Sequence, residues 1–112
     1  MATMATFVQS GAAVDYTPGS SVAAGDVIVQ GTLVGVAVQA IAANALGSLA
    51  VQGVFDCAKG VGSSDAISAG AKVYWDSNNE VMTTTAQGNT YAGKAVDAAA
   101  AGDTTVRVRL EQ

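Results

Sequence analysis

The sequence predicts an all-β protein, a compact small β-barrel or sandwich of short antiparallel strands joined by Gly-rich turns. Half of the residues are hydrophobic, but most of these are Ala and Val, which suit thin, closely packed sheets better than a deep core. Short runs that alternate apolar and polar residues recur along the chain and are broken by Gly-centred turns. Many short strands with regular turn signals are typical of a barrel or a sandwich.

The first half of the chain contains five strand candidates. Pro18 and Gly19 predict a turn in which Pro sets φ at the first corner and Gly accepts a positive φ at the second. Gly31 and Thr32 separate two runs that are close enough to form a hairpin. Residues 40–46 have helical propensity, but they are too few for a stable helix and are interpreted as a connection. The strand candidates are residues 7–9, 14–17, 27–30, 33–39 and 48–55.

A loop at residues 56–64 leads into the second half. Ser64 as the N-cap and Gly70 as the stop predict one helical turn over residues 64–69. A hairpin follows. Its turn is predicted from two Asn residues, since Asn tolerates left-handed backbone angles. Its strands are residues 72–76 and 80–84, and its turn is Ser77-Asn78-Asn79.

Two more strands, residues 90–96 and 104–110, complete the predicted fold. Residues 98–101 are rich in Ala, but they lie between strands and are interpreted as a turn. The last strand alternates cleanly, which is typical of a sheet with one buried face. Its inward side chains are Val106, Val108 and Leu110, and its outward side chains are Thr105, Arg107 and Arg109.

The chain contains an internal similarity. Residues 34–42 match residues 92–100, and each segment is followed, after a connection, by an alternating strand. The turn Ala-Gly-Asp occurs at 24–26 and 101–103, with a near copy at 69–71. Two explanations are open: a duplicated hairpin unit, or recurrence of good turn chemistry in an Ala/Gly-rich chain. The second is slightly preferred.

The length of 112 residues fits one domain. We expect a flexible N-terminal arm at residues 1–6 and a single β domain at residues 7–112. Cys57 is the only cysteine, so no intramolecular disulfide can form, and it is interpreted as a small apolar residue on a strand.

Charge and hydropathy disfavour two classes of partner. The net charge is −4, and the five basic residues are scattered along the sequence, whereas binding to a nucleic-acid backbone needs clustered cations. No apolar run of the length needed for a membrane span is present. Charged residues make up only 12% of the chain, which indicates that part of the surface is covered by a partner.

The sequence offers no catalytic, cofactor or metal site. It contains no His, the commonest general base and metal ligand. Residues 59–64 are Gly-rich, but they lack the Gly-Lys-Ser/Thr ending of a phosphate loop. The nine carboxylates lie mostly beside Gly, Ser or Asn and are interpreted as turn caps. The protein is therefore predicted not to be an enzyme.

Tyr74 and Trp75 are the notable aromatic residues. Adjacent residues of a strand point to opposite faces, so we expect one in the core and the other at an edge or an interface. An alternative is that Trp75 forms a carbohydrate-binding platform.

An ordered set of short motifs over essentially the whole chain resembles the small phage head proteins of a domain-of-unknown-function family, of the capsid decoration, or cement, type. The most specific motif is Gly70-Ala71-Lys72-Val73-Tyr74-Trp75-Asp76 with Thr83-Thr84-Thr85. The others lie at 7–11, 24–27, 31–37, 53–55, 88–96 and 102–110.

The resemblance implies a compact β-barrel that binds as a trimer to the major capsid protein on the outer surface of the expanded head. The protein would be made in the bacterial host cytoplasm and would stabilise the virion. The arm could add a strand to a shell subunit. The hypothetical capsid contact lies at the junction of the arm and the domain, at Thr6, Phe7, Val8 and Gln9. The alternatives are a head-fibre or tail adaptor module and a carbohydrate-binding module.

Overall fold

The fold is all-β, as predicted. The computed structural model describes residues 5–7 and 9–112, and this part of the chain contains nine strands and no helix. The strands are β1 (Ala13–Tyr16), β2 (Val27–Gln30), β3 (Leu33–Val36), β4 (Gly47–Ala50), β5 (Gly53–Ala58), β6 (Lys72–Asp76), β7 (Val81–Thr83), β8 (Thr90–Ala95) and β9 (Thr105–Leu110).

The strands form two antiparallel sheets. The first sheet has the order β1-β4-β3-β2, and the second has the order β5-β9-β8-β6-β7. A single parallel bridge between Lys59 and Met82 brings the two edges of the second sheet together at one point. Because no continuous ladder joins these edges, the described residues do not form a closed barrel, and of the two predicted architectures only the sandwich agrees with the structure.

The two sheets are built on one plan. Strands β1, β2, β3 and β4 occupy the same relative positions as β5, β6, β8 and β9, and β7 is an addition at the edge of the second sheet. The isolated bridge Val22–Ile41 in the first unit corresponds to Ile67–Ala99 in the second. The structure therefore favours a duplicated unit over the recurrence of turn chemistry that the sequence slightly preferred.

The hydrogen bonds of the connecting turns support this duplication. In each unit a Gly with positive φ donates its N–H to the carbonyl of an Ala at or just beyond the end of the third strand of the shared plan, and this Ala donates its N–H to the carbonyl of the residue after the Gly. The residues are Gly25, Ala37 and Asp26 in the first unit (2.6 and 2.9 Å) and Gly70, Ala95 and Ala71 in the second (2.7 and 2.9 Å). A positive φ needs Gly because a Cβ strains the left-handed backbone.

Two apolar cores lie against the sheets. The larger core joins β3 of the first sheet to the inner face of the second, with Val34, Val73 and Leu110 fully buried. The smaller core lies under the first sheet around Leu49 and Ile41. In β9 the inward and outward residues alternate as the sequence predicts.

The side chain of Gln112 links the two units. Its Oε1 accepts a hydrogen bond from the N–H of Val34 at 2.6 Å, and its Nε2 donates to the carbonyl of Val34 at 2.8 Å. The side-chain amide of Gln112 thus pairs with the backbone of β3 as a strand residue would. These hydrogen bonds connect the segment after β9 to the first sheet.

Several local predictions are wrong. Residues 48–55 are not one strand, because β4 ends at Ala50 and β5 begins at Gly53 in the other sheet, and residues 56–58 of the predicted loop belong to β5. Residues 64–69 form no helical turn, because Ile67 pairs with Ala99 and the carboxylate of Asp65 accepts the N–H of Gly62. Gly19 does not have a positive φ. The left-handed residue of the β6–β7 turn is Glu80 (φ 56°) and neither Asn, because Asp76 accepts the N–H groups of both and holds them in place.

Candidate functional site

The first exposed feature is the arm before β1. Phe7 is 83% exposed, and Thr6 and Gln9 are exposed as well. The side chain of Gln9 donates to the carbonyl of Ala13 at 3.3 Å, and the residues described here form no strand, although one was predicted at 7–9. Val8 and residues 1–4 lie outside the described residues. The arm boundary and the capsid contact therefore stay predictions.

The neighbours Tyr74 and Trp75 lie on opposite faces of β6. Trp75 is 7% exposed and belongs to the larger core. Tyr74 is half-buried on the other face, where its ring packs edge-on against Tyr91 with the centroids 5.6 Å apart. A carbohydrate platform needs an exposed ring face, and little of Trp75 is available for stacking.

A groove separates the outer edge of β2 from β5 and the β6–β7 turn. Its volume is about 610 Å³. Val27, Val29 and Phe55 line it, and they are only half-buried although they pack against the larger core. Both β2 and β5 are edge strands of their sheets, so the groove is bounded by two sheet edges. The sequence did not indicate this groove, because it depends on how the two sheets meet.

The groove is acidic. Asp26, Asp56 and Glu80 come from three different parts of the chain and line it, and no Lys or Arg does so among the residues described. Arg107 donates to Asp56 at 2.9 and 3.3 Å, and this hydrogen bond, with a smaller charge effect, lowers the pKa of Asp56. Asp56 is therefore a carboxylate over a wide pH range.

Cys57 lies in the wall of the same groove but is buried. Burial, and to a lesser degree the charge of Asp56, raises its pKa to about 11. A thiol with this pKa is protonated at neutral pH and is a poor nucleophile. The structure thus places Cys57 as a small apolar residue on a strand.

The outer face of the second sheet gathers basic residues that are distant in sequence. Lys72 pairs in register with Lys94, and Lys94 with Arg109, so three cations form a row across three strands. One carboxylate lies beside this row: the side chain of Glu111 is 3.8 Å from Lys94 and 3.3 Å from Arg109. The basic residues are thus scattered along the sequence, but three of them are neighbours in the fold. The face also carries negative charge and is not a continuous positive surface for a nucleic-acid backbone.

The polar groups of the Gly-rich segment 59–64 form hydrogen bonds with other residues of the same chain. The ammonium group of Lys59 is buried and donates to the carbonyls of Gly60, Ala101 and Asp103 at 2.6, 3.0 and 3.1 Å. The N–H of Gly62 donates to Asp65 at 2.7 Å. Both groups that would hold a phosphate are thus engaged within the fold.

The described residues bring no three His, Cys, Asp or Glu side chains together as a metal site. In the same part of the chain, no helix is long and apolar enough to cross a membrane.

Two aspartates are expected to make the protein less stable below about pH 4. The pKa values of Asp56 and Asp76 are lowered in the folded state, mainly by side-chain hydrogen bonds from Arg107 and Asn79. A lowered folded pKa gives stability that is present above the unfolded value of 3.8 and is lost as the pH falls through the folded value. Urea unfolding midpoints between pH 7 and pH 2 would measure this loss.

Asp56→Asn should flatten the decline of the urea midpoint below pH 4. Asp15→Asn is the control, since Asp15 is exposed on β1 and accepts no side-chain hydrogen bond within the described structure. The same decline in both variants and in the unchanged protein would contradict the role of Asp56.

A family model described as phage cement protein matches residues 8–110. No curated protein and no solved structure matches the chain. The family resemblance inferred from the sequence motifs is therefore confirmed, and it extends over almost the whole chain.

Proposed function

Because the chain belongs to the phage cement protein family, we propose that it binds the outer surface of the expanded bacteriophage head as a trimer and stabilises the shell. Family membership makes it a structural component associated with the phage capsid, which implies that it is not an enzyme. The match over residues 8–110 is the observation that carries the proposal. The proposal goes beyond family membership in four details: binding to the outer surface, the trimer, the stabilising role and synthesis in the host cytoplasm.

Features of the surface support a role in assembly. Several large apolar side chains besides Phe7 are exposed, and the chain has few charges to solvate its surface. Exposed apolar groups gain free energy when a partner covers them. The exposed apolar residues are Val38, Leu46, Val54, Val61 and Val96. We propose that the major capsid protein and neighbouring copies in the trimer cover part of this surface.

The copy number in purified virions tests the function. Quantitative mass spectrometry would compare this protein with the major capsid protein. A ratio near parity is expected for a protein that decorates the whole lattice. A handful of copies would instead support a head-fibre or tail adaptor module, and absence from the virion would overturn the structural role.

Deletion of residues 1–9 is expected to weaken binding to expanded heads strongly. The deleted segment contains Phe7, whose ring is largely exposed and is free to enter a pocket of the shell. Loss of one aromatic anchor typically costs 2 kcal/mol or more, which corresponds to an affinity roughly 30-fold lower. Co-sedimentation with expanded heads that lack the protein would measure the change.

Phe7→Ala is the matched point variant for this deletion. Because Phe7 packs against little of its own domain, its replacement should leave the urea midpoint unchanged while head binding falls. Full head binding by the protein without residues 1–9 would refute the arm as a capsid contact.

A further inference from the structure

The duplicated plan leaves one strand edge unpaired. In the second unit, β7 pairs antiparallel with the outer edge of β6. In the first unit, β2 is the equivalent of β6. The two residues Gly31 and Thr32 connect β2 directly to β3, and no described strand pairs with the outer edge of β2. An edge of this kind is a template for an additional strand.

The backbone of β2 presents its free groups to the groove. Ala37 donates to the carbonyl of Asp26, so this pair is hydrogen-bonded across β2 and β3. Hydrogen-bonded and non-hydrogen-bonded pairs alternate along an antiparallel ladder. The register pairs Val27 with Val36 and Val29 with Val34, so the N–H and C=O groups of Val27 and Val29 point away from β3.

The side chains around this edge are also incompletely covered. Val27, Val29 and Phe55 pack against the larger core but are only half-buried. In the second unit, Met82 of β7 is almost fully buried beside β6. A strand at the equivalent place beside β2 would complete the burial of these three side chains and would bring an apolar side chain of its own into the groove.

We propose that an extended segment of the capsid shell protein enters this groove and pairs antiparallel with β2, in the place that β7 takes beside β6. The segment carries a large apolar side chain flanked by Lys or Arg, because Asp26, Asp56 and Glu80 line the groove and no described Lys or Arg does. Among these three described carboxylates only Asp56 has an ion pair, with Arg107, which lies outside the groove lining. This inference rests on the proposed function and adds the chemistry of the partner.

The charges favour a foreign segment over a second copy of this chain. Two copies joined through β2 would bring two sets of the same three carboxylates together, which is unfavourable. The chain has no Lys or Arg before residue 59, so its N-terminal arm offers no positive charge to complement the groove. Four of the five cations stand on β6, β8 and β9, which are already paired within the second sheet.

Hydrogen exchange on the complete protein, free and bound to expanded heads that lack it, tests this inference. The amides of Val27 and Val29 should exchange at least about tenfold more slowly on the heads, because added strand bonds protect them. Protection that appears in the free protein and rises with its concentration would identify a second copy as the occupant and would overturn the inference.

Charge reversal tests the basic character of the segment. Glu80→Lys should weaken head binding by about tenfold at low salt and by less at high salt. Asp15→Lys makes the same charge change on β1, away from the groove, and should bind like the unchanged protein. Equal binding of both variants, or head binding without protection of β2, would overturn the inference while the decoration function stands. Failure of the unchanged protein to bind heads would overturn both.

Discussion

Gly93→Ala is expected to lower the free energy of unfolding by about 3 kcal/mol or more, since overpacking against backbone forces the strands apart. A Cβ on Gly93 would overlap the carbonyl oxygen of Arg109 and lie 2.9 Å from its carbonyl carbon. Both residues belong to the β8–β9 ladder, where Gly93 pairs with Leu110. The backbone cannot rotate away as a flexible side chain can, so the register at the centre of the second sheet has to change.

Urea unfolding of Gly93→Ala and Gly102→Ala would measure this effect. Gly102 has open space around its Cβ position and no positive φ, so its replacement should change stability by less than about 0.5 kcal/mol. Gly35, the equivalent of Gly93 in the first unit, would meet the side chain of Leu49 at 2.9 Å and should give an intermediate loss. Equal stability of the Gly93 and Gly102 variants would refute the packing argument.

Lys59→Met is expected to destabilise the fold by about 2–4 kcal/mol, because three hydrogen bonds from a charged donor are lost and their partly buried carbonyl acceptors are left without it. Lys59 is 4% exposed, and its ammonium joins the start of one loop to the carbonyls of Ala101 and Asp103 in another. Met has a similar length and packs in the same space, so the variant isolates the hydrogen bonds from the packing of the stem.

Lys72→Met is the matched control, since Lys72 is exposed on β6. We expect its urea midpoint to stay close to that of the unchanged protein. If Lys59→Met were as stable as Lys72→Met, the desolvation of the ammonium would offset its three hydrogen bonds, and Lys59 would not be a structural clamp.

Local sequence patterns identified most strands because alternation and turn chemistry act over a few residues. The clean alternation of residues 104–110 placed Val106, Val108 and Leu110 inside, as the structure has them. The same local reasoning failed at residues 64–69, where the predicted helical turn gave way to a bridge between Ile67 and Ala99. A distant partner overrides a weak local preference when it satisfies more backbone groups.

The candidate surfaces were only partly visible in the sequence. The arm and the pair Tyr74 and Trp75 stood out by residue type, and the absence of His removed the commonest general base and metal ligand. The groove, the row of cations and the buried ammonium of Lys59 did not stand out, because their residues come from strands and loops far apart in the chain. The Gly35 and Gly93 positions became meaningful only once their opposing strands were known.

By itself, the sequence determined the all-β class, the absence of His and the family motifs, since these depend on residue types and short-range order. The tertiary structure decided which strands pair beyond the two predicted hairpins, that two units share one plan, and that β2 keeps an open edge beside an acidic groove. The physical reason is that strand pairing joins residues tens of positions apart, and many registers satisfy the same alternation until the packing of both cores selects one.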